Sequence, residues 1–268
     1  MTFRAESGAP VRFAQQANLL EASSHLPEGA YTTFRTYGAR GVVRLAQHVA
    51  RLNETAALLR LSKSVLSEAA VRAALREGLS ATAFGESRVR LTWTAPDLYV
   101  TIEPFEALPG RLYEHGVRCV TLDVRRESPH AKDTRFIATA SAAQRRLPAD
   151  AHEGLLVGLD GAILEGLSSN FFAMRDGVLR TEEARALIGV TRSLVLEVAF
   201  GLLAIERRAV TRDDLERVSE AFITSVSRGI LPVVAIDRHT LGDGRPGRTT
   251  AELQRRFEAL TARELETL

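Results

Sequence analysis

A chain of 268 residues, 45% hydrophobic and 25% charged, is long enough to bury a substantial core and to build one or two domains. Its formal charge of +2, with no basic run interleaved with aromatics, argues against a nucleic-acid partner. No apolar run approaches the roughly 20 residues of a bilayer span and the N-terminus has no signal-peptide core, so no membrane partner is expected and the cytoplasm is the expected compartment.

Residues 1–28 show little pattern beyond an apolar patch at Asn18–Leu20 and no hairpin signal. Ala30–Tyr37, rich in β-branched and aromatic residues, reads as a strand that turns at Gly38–Gly41 into Val42–Leu45. Ala46, Val49, Leu52, Ala56 and Leu59 then recur at helical spacing, with His48 and Arg51 one turn apart on the same helix, a pair that alone suits a solvated face. A second helix over Ser64–Leu79 and a hairpin, Arg88–Thr94 with Leu98–Glu103, complete a small α+β domain over residues 1–103. The pattern lapses over 104–116, the expected linker, and a larger domain is expected over 117–268.

That second domain opens on a strand, Val117–Val124. It carries Cys119, the only cysteine, which excludes an intrachain disulfide and a cysteine zinc cage. A helix is expected over Phe136–Arg145. Asp160-Gly161 and Asp176-Gly177 are turn signals between apolar runs, so Leu155–Leu179 reads as a strand meander in which Glu165 ends the middle strand before Ser168-Ser169-Asn170. Gly189-Val190-Thr191-Arg192 precedes the helical pattern Leu194, Val195, Val198, Leu202, where amides at a helix start would face an anion. On these residues alone, two hairpins and an ordinary capped helix are a sufficient reading. Further strands are expected over Ala204–Val210 and Ala221–Val226, with a last helix starting at Thr249, Glu252 closing a capping box, and running toward Leu268.

Lysine is scarce: the chain has only Lys63, in a loop between helices, and Lys132. An arginine stays protonated and is a poor nucleophile, so a retained lysine is the chain's candidate reactive amine.

Several motifs occur in order: His48-x-x-Arg51-Leu52, Glu165-Gly-x-Ser-Ser-Asn-x-Phe172, Asp176-Gly-x-Leu-x-Thr181, Gly189-Val-Thr-Arg192, Ser219–Ser225 and Ile230–Asp237. Together they resemble the class IV pyridoxal-phosphate enzymes, which include branched-chain aminotransferases, D-amino acid aminotransferases and aminodeoxychorismate lyases. The resemblance implies the two-domain fold type IV architecture, a small N-terminal α/β domain and a larger C-terminal domain with a β-barrel-like core. It implies pyridoxal 5'-phosphate as cofactor, an amino acid and keto acid as substrates, and a homodimer. It makes Lys132 the Schiff-base lysine and Glu165, 33 residues on (165 − 132), the carboxylate at the ring nitrogen. Arg51 is the implied phosphate ligand, together with Val190, Thr191, Ser225 and Val226. Ser168, Asn170 and Leu187 are implied around the ring, with Tyr31 near its 3'-oxygen. Arg35, Arg90 and Arg228 are the candidates for substrate carboxylates.

The chain departs from the family where relatives have an asparagine and often a tyrosine after the lysine; here Arg135 and Phe136 stand there. Tyr31, Phe34 and Phe136 either suit an uncharged substrate side chain, which favours a transaminase, or are simply core. Thr32-Thr33 resembles the lyases' pair, with Thr33 as a proton relay, so a lyase releasing pyruvate stays open. A catalytically silent cofactor-binding protein is the reading from another class.

Overall fold

In the computed structural model, which describes residues 1–6, 9–12 and 18–268, the chain opens with a hairpin that its sequence does not announce. β1 (Thr2–Glu6) and β2 (Ala9–Arg12) pair antiparallel. Their place is set from outside the hairpin, because β1 is built onto a strand about a hundred residues away, Thr2 opposite Thr101. The apolar patch that follows becomes α1 (Leu19–His25), whose first turn is capped by Asn18 accepting from the Glu21 amide at 2.9 Å. Next come β3 (Ala30–Arg35), β4 (Gly41–Val43), α2 (Leu45–Leu58), α3 (Glu68–Ser80), β5 (Ser87–Trp93) and β6 (Leu98–Pro104). The strands form an antiparallel sheet ordered β2-β1-β6-β5-β3.

Alternation along these strands decides which face is apolar. Ala30 and Phe34, Val89 and Leu91, Val100 and Ile102 join Leu45, Val49, Leu52, Val71 and Leu75 of the two helices in one core cluster. Each fully buried Val, Leu, Ile or Phe among them contributes about 1.5–3 kcal/mol. Phe34 therefore belongs to this core and not to a substrate wall. Tyr31, Thr33 and Arg35 alternate onto the other face, beside Arg88 and Arg90 of β5.

The contact pattern divides the chain after Glu106. The second unit contains α4 (Arg111–His115), inside the expected linker, then β7 (Val117–Leu122), α5 (Arg135–Gln144) from Ala140 onward, β8 (Ala151–Val157), β9 (Ile163–Gly166), β10 (Asn170–Arg175) and β11 (Val178–Arg180). It continues through α6 (Val190–Ala199), β12 (Ala204–Glu206), a 3-10 turn at Arg212–Arg217 boxed by Thr211 and Asp214, β13 (Val218–Ser225), β14 (Gly229–Ile236), β15 (His239–Thr240) and α7 (Arg248–Arg263). Strands β10-β13-β14-β7-β8-β9 follow one another, and β9 pairs back to β10 through Glu165 opposite Asn170, closing a six-stranded barrel. Closure leaves none of these six strands with an open edge. Leu155, Ile163, Phe171, Ile223 and Leu231 fill its core with Cys119, whose thiol burial pushes up in pKa beside Glu153.

Two later segments fold with the first unit. Ala131–Thr139 adds to the free edge of β3: the Tyr31 amide donates to the Lys132 carbonyl at 2.9 Å and the Thr134 amide to the Gly29 carbonyl at 3.0 Å. Gly29 has to be a glycine, since a Cβ there would lie 2.4 Å from the Trp93 carbonyl oxygen. At the C-terminus, β16 (Leu265–Thr267) pairs with β4, and Glu266 accepts from the Leu45 amide at 3.0 Å, capping a helix whose own N-cap residue, Arg44, makes no side-chain cap. The last helix thus stops at Arg263 instead of running toward Leu268, because the final residues serve as a strand and a cap.

The expected Thr249–Glu252 capping box is also replaced. Glu252 is taken by Arg255 and Arg256, whereas Glu220 accepts from the Thr249 amide at 3.1 Å and the Thr250 amide at 2.7 Å. The carboxylate reaches them across Gly247, where a Cβ would come within 2.0 Å of the Glu220 carboxyl carbon. Glu220→Ala should therefore cost about 1–2 kcal/mol in equilibrium urea unfolding, the loss of a charged helix cap. Glu252→Ala should leave the midpoint unmoved. Equal effects from the two substitutions would contradict this capping.

Candidate functional site

Within the first unit, the polar groups gather where β3, α2 and the 131–134 segment meet. Apolar spacing makes α2 a core helix, but its buried face also carries His48, Arg51 and Thr55. Thr55 Oγ1 accepts from the Lys132 amide at 3.1 Å, and the Lys132 carbonyl is held by Tyr31, so the lysine backbone is fixed on both sides. Its Nζ lies 4.7 Å from the centre of the Tyr31 ring. Beyond it, Asp133 pairs with Arg135, and Phe136 is buried, which is what this chain does with the positions where relatives carry an asparagine and a tyrosine.

Thr32 is on the core face and Thr33 on the other, so the two threonines do different things. Thr32 Oγ1 lies 2.9 Å from His48 Nδ1 and accepts from Arg51 Nη2 at 2.7 Å. Burial, with Arg51 and then Lys132 nearby, holds the His48 pKa well below the ordinary 6.5. Thr33 accepts from Arg90 Nε at 3.3 Å. Arg90 also donates to the Leu19 carbonyl at 3.0 Å and to Ser23 Oγ, and its guanidinium lies 5.0 Å from the Tyr31 ring centre. Arg35 is committed elsewhere, paired with Glu86 at 2.5 Å and stacked 3.6 Å over Phe105.

In the second unit, barrel closure places Glu165 and Asn170 side by side, and both hold the same residue. Glu165 Oε2 accepts from the Leu187 amide at 3.1 Å and Asn170 Nδ2 donates to the Leu187 carbonyl at 2.7 Å. Asn170 also abuts Gly189, where a Cβ would meet its Oδ1 at 2.3 Å. One network therefore fixes the acid, the leucine and the start of α6, whose first residues, Val190 and Thr191, are buried and whose N-cap glycine offers no side chain. Glu165 is 2% exposed and its countercharge is Arg126, Nε to Oε1 2.9 Å. Both line a cavity of about 490 Å³ together with Leu156, Leu164 and Pro129. Ser225 and Val226 lie at the turn joining β13 to β14. Ser168 and Arg228 form a cluster with the fully buried Glu153: Arg228 Nη1 pairs with Glu153 and its Nη2 donates to Ser168 Oγ at 3.1 Å.

Sequence reasoning missed Arg126, Thr55 and Glu153. Arg126 is one of 33 arginines (35 basic residues less 2 lysines), and nothing in its neighbourhood distinguishes it from Arg125. Thr55 and Glu153 act through fold-dependent partners, for which a sequence offers no signal.

These groups suit pyridoxal phosphate. The buried hydroxyls of Thr224, one residue before Ser225, and Ser169 have no hydrogen-bond partner among the described residues, and α6 begins without a side-chain cap. Such donors suit a phosphate, the buried carboxylate suits a pyridine nitrogen, and the lysine amine suits an aldehyde.

The amino-transferase class IV family model matches residues 29–236. The chain is similar to the D-alanine aminotransferase of Bacillus licheniformis, 30% identical over 246 residues and 85% of each chain, and to the branched-chain-amino-acid aminotransferase of Pseudomonas aeruginosa, 26% identical over 275 residues, 93% of this chain and 89% of that one. Its fold is similar to a solved T.th. branched-chain amino acid aminotransferase with pyridoxamine 5'-phosphate, TM-score 0.83 at 24% identity, covering 99% of this chain and 97% of that one. It is similar also to the Escherichia coli branched-chain enzyme, TM-score 0.80 at 24% identity, covering 99% and 95%. With its motifs, its closed barrel and a family match over more than half its length, the chain belongs to the class IV aminotransferases, enzymes whose cofactor is pyridoxal 5'-phosphate.

Proposed function

We propose that the chain moves an amino group from a small amino acid to a 2-keto acid through Lys132. The observation that carries this reading is the fixing of Lys132 by β3 and α2, with its amine over the Tyr31 ring, in a chain with only one other lysine. When bound, the cofactor supplies an aldehyde that condenses with amines and a ring that accepts the electron pair left at the substrate Cα.

The chain's residues do the rest. Lys132 would hold the cofactor through its aldehyde and, as a free amine once substrate is bound, would move the proton between the substrate Cα and the cofactor's C4′. Glu165, paired with Arg126, would hold a proton at the ring nitrogen. Arg51, Thr191, the Val190 amide and Ser225 would bind the phosphate, with Val226 contributing backbone only. Leu187, held at both its amide and its carbonyl, would pack on the ring, and Tyr31 would serve its 3'-oxygen. Arg90 is the best of the substrate arginines, because Arg35 and Arg228 already have carboxylates of their own. A homodimer in the cytoplasm is part of this reading; in the described residues no helix is long and apolar enough to cross a membrane.

Borohydride reduction of the protein loaded with pyridoxal phosphate should leave the pyridoxyl group on the Lys132 peptide, and Lys132→Ala should take up none. Label on Lys63 would overturn the assignment. Glu165→Gln should still bind the cofactor but slow Cα proton abstraction in single turnovers by about two orders of magnitude, the scale of losing a key electrostatic group. An undiminished rate would remove Glu165 from the chemistry. In half-reactions, at least one of L-leucine, L-glutamate, L-alanine and D-alanine should convert the cofactor to its amine form. Pyruvate release from aminodeoxychorismate, with none of the four converting it, would replace the transaminase by a lyase.

A further inference from the structure

Thr32 stands between Ala30 and Phe34 on the apolar face of β3, fully buried, its hydroxyl out of reach of solvent. Such a group costs free energy unless both its donor and its acceptor roles are used. The neighbours settle how. An arginine can only donate, so Arg51 Nη2, at 2.7 Å, takes the acceptor role of the hydroxyl oxygen. The single hydroxyl proton then has His48 Nδ1, at 2.9 Å, as its acceptor. That requires an unprotonated Nδ1, and hence a neutral ring with its proton on Nε2. A charged ring would leave the hydroxyl proton without its acceptor and add a third cation beside Arg51 and Lys132. The ring is further fixed by packing on Phe34, centroids 5.2 Å apart.

The geometry points to Thr32 and His48 as positioning residues that aim the Arg51 guanidinium at the cofactor phosphate. This rests on the phosphate role of Arg51 proposed above. Neither side chain needs to touch the cofactor: His48 orients the hydroxyl, the hydroxyl orients one arm of the guanidinium, and the plane so fixed presents the fork geometry that suits a phosphate. The His-x-x-Arg spacing is what allows it, since residues three apart on a helix share a face and can converge on one strand residue.

The test is equilibrium binding of pyridoxal 5'-phosphate and of pyridoxal to the full-length protein, with inorganic phosphate as competitor. Thr32→Val, close in shape but without the hydroxyl, should weaken pyridoxal phosphate about ten-fold, the usual scale for one charge-assisted hydrogen bond, and leave pyridoxal unchanged. Thr32→Ser should restore the affinity. His48→Phe should follow Thr32→Val, and adding Thr32→Val to Arg51→Ala should weaken binding no further. If Arg51→Ala itself keeps the preference for the phosphorylated form, the phosphate role of Arg51 falls. If Arg51→Ala loses that preference while Thr32→Val and His48→Phe keep it, or if Thr32→Val weakens both ligands alike, only the positioning role falls.

Discussion

The arrangement depends on one short pairing, the Tyr31 amide to the Lys132 carbonyl along the edge of β3. A lysine side chain has four rotatable bonds, so its amine can be delivered to one place only if the backbone is immobile. Here the backbone is held by β3 on one side and by Thr55 of α2 on the other. Edge pairing is a strong choice for this purpose, because two backbone hydrogen bonds, with the Gly29 amide donating in return to Thr134 Oγ1, fix both position and direction of the segment. The cost is local and visible in Gly29, which has no room for a side chain.

The second unit seats a carboxylate where it is 2% exposed. Burying a lone carboxylate is expensive, and a paired one is costly to break. Arg126 supplies the charge, the Leu187 amide a hydrogen bond, and barrel closure at Glu165 opposite Asn170 the position. The same closure lets Asn170 hold the other side of Leu187 and press on Gly189, so the acid and the start of α6 cannot shift independently.

Much of this was legible before the structure. The β-branched and aromatic content of Ala30–Tyr37 and the helical spacing within Leu45–Leu58 reveal the elements, because such side chains favour a strand and burial imposes the helical period. The Asp-Gly turns mark the meander because turn chemistry is local. What could not be read depended on distant partners. Phe34 stayed open between substrate contact and core because a strand residue's face is not known until the strand is paired. The β1–β2 hairpin is stabilised by β6, and the C-terminal strand by β4, each far away in sequence. The capping box failed for the same reason: Thr249 and Glu252 match the local pattern, but Glu220 arrives from β13 and reaches the amides first.

Arginine posed the hardest problem for sequence reading, and its resolution is electrostatic. An arginine that meets a carboxylate loses most of its field to that partner, as Arg35 does to Glu86 and Arg228 to the buried Glu153. A neutral acceptor orients a guanidinium without neutralising it. The Leu19 carbonyl, Ser23 and Thr33 do this for Arg90, and the Thr32 hydroxyl does it for one arm of Arg51. The distinction is invisible in a sequence where all four are the same letter. It follows from alternation on β3 and β5, which sends Thr32 to the helix bearing Arg51 and Thr33 to the face bearing Arg90. Two adjacent threonines thereby orient two cations on opposite faces of one sheet, through hydroxyls that direct a guanidinium without cancelling its field.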